Sequence, residues 1–137
     1  MSVVIPHRAI EAFSNASDPR EAILKMIGDL SGLELVGDQV LLGIYIRPEK
    51  TKGGIIRPTV NVQEDVWQGK VGLVLKMGPD AFRDRQTGDL YEQRFEVGEW
   101  AIFDVNNSRS VQIREVPCRW IRDIHLIGKV KDPLMIF

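Results

Sequence analysis

Apolar positions recur at helical spacing in only one stretch near the start of the chain. Ile23, Leu24, Ile27 and Leu30 fall three to four residues apart and form a stripe. Asp18, Pro19 and Glu21 stand before it as N-cap, first-turn proline and capping-box acid. These signals predict a helix that stops at Gly32. Gly28 would weaken its interior by ~1 kcal/mol relative to alanine. A shorter helical turn is expected from His7 to Phe13, with Ile10 and Phe13 on one side. This region is amphipathic, so it must lie on something, either its own domain or a neighbour.

From Asp38 the period changes. Val40, Leu42, Ile44 and Ile46 alternate, while Leu41 and Tyr45 make the other side apolar too. Such a strand is covered on both faces. A polar stretch from Arg47 to Val66 follows, with Pro48, Gly53-Gly54 and Pro58. Long connections of this kind are often functional. Leu73-Val74-Leu75 predicts a second strand, closed by the turn signal Gly78-Pro79-Asp80. Charged residues fill Asp80 to Glu96, with Thr87-Gly88-Asp89 at the expected hairpin tip. Further strands are expected over Trp100–Val105, Val111–Arg114, Cys118–Ile121 and Ile124–Val130, the third broken from the fourth near Arg122-Asp123. Short strands at this spacing predict an all-β fold, a small barrel or sandwich.

Composition narrows the functional classes. The 137 residues fit one domain with an appendage and include one cysteine, Cys118. There is no partner for an internal disulfide and no cysteine cluster for zinc. No apolar run approaches the ~20 residues of a membrane span, and the first residues do not resemble a signal peptide. The expectation is a cytoplasmic protein without membrane contact. A net charge of −1 argues against broad phosphate-backbone binding, so no nucleic-acid partner is expected.

Catalytic chemistry finds little footing. His7 and His125 are the two histidines, and neither has a recognisable nucleophile beside it. Cys118 follows Pro117 and precedes Arg119, but reads as a small apolar filler. Arginines interleave with Asp84, Asp89, Glu92, Glu96 and Glu99, which suits a solvated hairpin better than a carboxylate pair. Phosphate-loop, dinucleotide and EF-hand patterns are missing. Trp67, Trp100 and Trp120 could stack on bases, but no basic groove accompanies them, and a core or interface role fits better. The expectation is a non-enzyme with no catalytic residues, cofactor or metal.

The informative piece is the long polar loop. Its middle reads Lys52-Gly53-Gly54-Ile55-Ile56-Arg57. The glycines give the backbone freedom. Two isoleucines on a free loop gain nothing from water. Either they fill an apolar groove on a partner, ordering as they bind, or they pack back onto the domain.

Five segments in order resemble the GroES-type co-chaperonin family. They are Asp38-Gln39-Val40-Leu41-Leu42, Lys52-Gly53-Gly54-Ile55-Ile56, Gly72-Leu73-Val74-Leu75-Lys76-Met77-Gly78-Pro79, Val97-Gly98-Glu99-Trp100-Ala101-Ile102-Phe103 and Trp120-Ile121-Arg122-Asp123-Ile124-His125-Leu126-Ile127. The resemblance runs from about Val36 to Val130. It implies a small GroES-like β-barrel with an N-terminal helical extension, assembled as a homo-oligomeric ring that lids a GroEL-type chaperonin and assists protein folding. The partner-binding loop would then be Lys52 to Arg57, docking through Ile55 and Ile56. The roof-type hairpin would lie around Thr87, Gly88 and Asp89. Arg57-Pro58 departs from the family, which usually continues the apolar edge there.

The chain therefore divides into a helical arm at 1–36, a barrel at 37–130 and a tail at 131–137. Within the barrel, 47–66 is the mobile-type loop and 80–96 the roof-type hairpin. Ile23, Leu24, Ile27 and Leu30 in the arm, with Leu134, Met135, Ile136 and Phe137 in the tail, are candidate docking residues. The divergence is similar to that of phage-encoded members. This opens an alternative: a phage virion structural protein, decorating a capsid or serving as a connector, whose arms grip neighbouring capsid proteins.

Overall fold

A computed structural model of the protein describes residues 18–46 and 71–135, except the side chain of Leu134. The His7–Phe13 turn, the loop residues Lys52 to Arg57, Trp67, Ile136 and Phe137 lie outside the described residues.

The helix begins where the sequence predicts. Helix α1 spans Pro19–Ile27, and the Asp18 carboxylate accepts the Arg20 N–H at 3.0 Å. It ends earlier than expected. Gly28, not Gly32, closes it with φ +72°, its N–H donating to the Leu24 carbonyl. The Arg114 guanidinium donates to the last helical carbonyl, at Ile27, and a Cβ on Gly28 would lie 2.9 Å from that guanidinium. Glycine at 28 thus admits both the turn and the capping cation.

Six strands follow: β1 Gln39–Ile44, β2 Val71–Met77, β3 Trp100–Phe103, β4 Ser108–Ile113, β5 Val116–Arg122 and β6 Leu126–Val130. They form one antiparallel sheet in the order β4-β5-β1-β2-β3-β6. The protein is thus mostly β with one short helix among the described residues. Short 3₁₀ turns occupy Val105–Asn107, Asp123–His125 and Pro133–Met135. His125 therefore sits in a turn between β5 and β6, not in a strand as the sequence suggests.

The central strand is covered on both sides, as its two-sided apolar pattern predicts. Leu41 and Tyr45 join Leu73, Trp100 and Cys118 on the face that α1 covers. Val40, Leu42 and Ile44 join Val74, Ala101, Phe103, Ile121 and Leu126 on the other, where Phe82 and Phe95 complete the cluster. Ile23 and Ile27 are each only 1% exposed. Gly43 makes the close fit possible, since a Cβ there would meet Ile23 Cγ2 at 2.9 Å and Leu75 Cδ1 at 3.1 Å. This corrects one expectation: Ile23 and Ile27 pack on the chain's own sheet and are not free to dock on a neighbour. Leu30 is half-buried against the same cluster, while Leu24 stays 42% exposed.

The β1–β2 register shifts between Leu41 and Leu42, leaving Leu75 without an opposite residue on β1. The bulge sends Lys76 toward the post-helix segment, where its ammonium donates to the carbonyls of Leu30, at 2.8 Å, and Leu33.

Candidate functional site

Two excursions leave the β1–β2 pair from opposite ends. At one end Ile44 faces Gly72, and the Tyr45 N–H donates to the Val71 carbonyl at 3.1 Å. Ile46 and Val71, which flank residues 47–70 in sequence, therefore lie at that end. At the other end Val40 faces Met77, and Gly78 N–H donates to the Gln39 carbonyl at 2.8 Å. Segment 80–96 starts there. Its root is tight: a Cβ on Gly78 would fall 2.3 Å from the Gly37 carbonyl oxygen, so only glycine fits.

Segment 80–96 is a loop with a minimal ladder. One antiparallel bridge, Arg83 to Leu90, joins its two sides. Asp84 builds the tip, its carboxylate accepting the N–H groups of Gln86 at 2.8 Å and Thr87 at 3.1 Å. These bonds hold the Asp84 carboxyl below the usual carboxylate range. Gly88 turns the chain at φ +77°, and the Thr87 hydroxyl accepts the Asp89 N–H at 3.3 Å. Thr87, Gly88 and Asp89 thus stand together at an exposed tip, as the sequence predicts.

Two carboxylates, of Asp123 and Asp38, hold the segment. Buried Asp123 accepts the Phe82 N–H through Oδ2 at 2.8 Å. Phe82 has φ +58°, a left-handed conformation that costs a side-chain-bearing residue about 1–2 kcal/mol. Its ring lies 5.4 Å from that of Phe95, over which the Lys129 ammonium sits at 5.0 Å. Asp38 is the second anchor. Its Oδ2 accepts from Arg122 Nη2 at 2.9 Å and from Arg85 Nη2 at 3.2 Å. The hydrogen bond from Arg122 is the main reason its carboxyl lies below the usual range, and burial opposes it.

A cavity of about 590 Å³ lies between Tyr91–Phe95 and β6, with Ile124 and Leu126 in its walls. A second, of about 440 Å³, is lined by Asp38, Asp80, Asp84 and Arg85. Tyr91, Asp123 and Ile124 line both. Among the described residues no group of histidine, cysteine and carboxylate side chains could hold a metal ion, and no helix is long and apolar enough to cross a membrane.

The other sequence candidates fall into place. Cys118 is buried, and burial pushes its thiol up to about 12, which leaves it protonated and unreactive at neutral pH. Trp100 lies in the core, edge-on to Tyr45 at 5.5 Å, and Trp120 packs half-buried against the same cluster. Trp100 therefore presents no free stacking face to a base. In the tail, Met135 is 72% exposed beside a buried Pro133. Arg119, on β5 opposite Leu42, is buried, and desolvation lowers its pKa.

No family model matches the chain, and a search of the curated proteins finds no match.

Proposed function

We propose that the chain is a non-enzymatic co-chaperonin-like protein with a GroES-like barrel fold, acting as a homo-oligomeric lid on a GroEL-type chaperonin. One observation carries the reading. Residues 47–70, which hold Ile55 and Ile56, join the sheet at one end of the β1–β2 pair, and the exposed 80–96 segment joins it at the other. A lid needs this polarity, with one end for docking and the opposite end for the roof. The order of the five sequence motifs supports the same assignment. In this role the isoleucines bury apolar surface in a groove of the chaperonin, and the glycines let the backbone turn to reach it.

The test is ATP-dependent binding to a GroEL-type ring. The lid reading expects retention at micromolar concentration, lost on Ile55→Asp, because a carboxylate in an apolar groove pays its desolvation unpaired. No retention, with a working co-chaperonin as control, overturns it.

The virion reading comes second. Burial of Ile23 and Ile27 takes these two residues out of the docking set of its N-terminal arm, while the exposed Met135 supports its tail. Mass spectrometry of purified particles separates the two: many copies per particle favour the virion part, and absence favours the lid.

A further inference from the structure

We propose that residues 83–94 form a hinged flap, latched by the Asp123–Phe82 hydrogen bond, whose release joins the two cavities beneath it. The proposal goes beyond the lid reading and does not depend on it. Three features of the segment carry it. First, it has no core of its own. Every residue from Arg83 to Arg94 is exposed or half-buried, and buried apolar residues flank it only at Ala81-Phe82 and at Phe95. Segments with so few buried contacts open below the global unfolding limit.

Second, the hinge is strained and one buried bond holds it. Phe82 is one of only two non-glycine residues at positive φ among the described residues. Its N–H is tied to Asp123 Oδ2 at 2.8 Å, and its carbonyl accepts the Tyr91 N–H at 2.7 Å. Bulky residues persist in this conformation where their surroundings hold them, and such strain gathers at switch regions. Breaking the Asp123 bond lets Phe82 relax, and Tyr91 moves with it through the bond they share.

Third, the flap walls two cavities at once. Tyr91 is the flap residue that lines both the 590 Å³ and the 440 Å³ cavity, and Asp123 and Ile124 form the rest of the shared wall. Displacing Tyr91 removes the flap's part of that wall and opens the larger cavity, which Phe82, Phe95 and Leu126 also line. The Arg85–Asp38 pair is a weaker second latch, because the Arg85 side chain is 76% exposed.

Native-state hydrogen exchange on the full chain tests this. In the unaltered protein, the Phe82 and Tyr91 amides should exchange together and at least about 100-fold faster than those of Leu41 and Leu42 in β1, since flaps open sub-globally. Asp123→Ala should speed exchange at Phe82 and Tyr91 by a further tenfold or more without changing β1, and should raise the fluorescence of an apolar dye. Asp123→Asn keeps an acceptor oxygen and should behave as the parent. Three results would overturn the flap: Phe82 and Tyr91 exchanging only with β1 in the unaltered protein, Asp123→Ala leaving them unchanged, or that variant speeding β1 equally. Faster exchange without added dye binding would overturn the joining of the cavities. If Asp123→Ala does not fold, the unaltered protein still decides the flap, because Phe82 and Tyr91 exchanging only with β1 overturns it.

Discussion

Helix α1 and the 80–96 segment both lie against the central sheet, yet they are fixed by opposite means. The helix is sealed by apolar burial: Ile23 and Ile27 enter the core over Gly43, and the Lys76 ammonium and Arg114 guanidinium bind carbonyls at and after its end. The 80–96 segment has aromatic anchors only at its margins, and carboxylates from β5's end and from before β1 hold the rest. Apolar burial is non-directional and strong, so it suits a part that stays in place. A few directional bonds to a strained hinge suit a part that can let go. The N-terminal helix thus belongs to the domain, while the projecting segment is the loosely held element.

Substitutions can break or sharpen this contrast, and the largest effect should come from the helix. Ile23→Ala or Ile27→Ala should cost about 2–4 kcal/mol of global stability, read by denaturant unfolding, because each leaves a cavity in the core. A loss below about 0.5 kcal/mol would mean that the helix is not part of the cooperative unit. Gly43→Val should follow at about 1–3 kcal/mol, since its Cβ enters the space of Ile23 and Leu75.

Asp38→Asn should cost no more than about 1 kcal/mol at neutral pH, since the side chain of its partner Arg122 is 43% exposed. Its signature is in pH. The folded carboxyl is depressed, so its stabilisation is complete above the unfolded value and is lost as pH falls through the folded one. Asp38→Asn should therefore flatten the acid side of the stability profile below about pH 4. An unchanged acid limb would show that the Arg122 pair does not act in solution. Arg85→Ala should have the smallest effect, a few tenths of a kcal/mol at most, detectable as faster exchange in 83–94 alone.

Local signals made part of this architecture legible. Asp18-Pro19 and Glu21 mark the helix start, the two-sided apolar run of β1 marks a central strand, and Gly78-Pro79-Asp80 and Thr87-Gly88-Asp89 mark the root and the tip of the projecting segment. What stayed hidden depends on residues distant in sequence. Gly28 ends the helix where Arg114, 87 residues beyond Ile27, reaches the last carbonyl. Asp123 lies in a motif, but its task is set by the N–H of Phe82, 41 residues before it. The stripe of Ile23 and Ile27 shows a buried face but does not name its partner, and the vacancy left by the missing side chain at Gly43 decides for the chain's own sheet. For the docking candidates Lys52 to Arg57, sequence remains the source of the assignment.

In the proposed lid, the 47–70 end docks and the 80–96 end roofs. Electron microscopy of the chain mixed with a GroEL-type ring and ATP tests it most directly. The account predicts a cap on the ring, with the Ile46–Val71 end of each subunit against the chaperonin and the Thr87–Asp89 tip pointing away. A cap seated the other way round, or no cap at all, would contradict it.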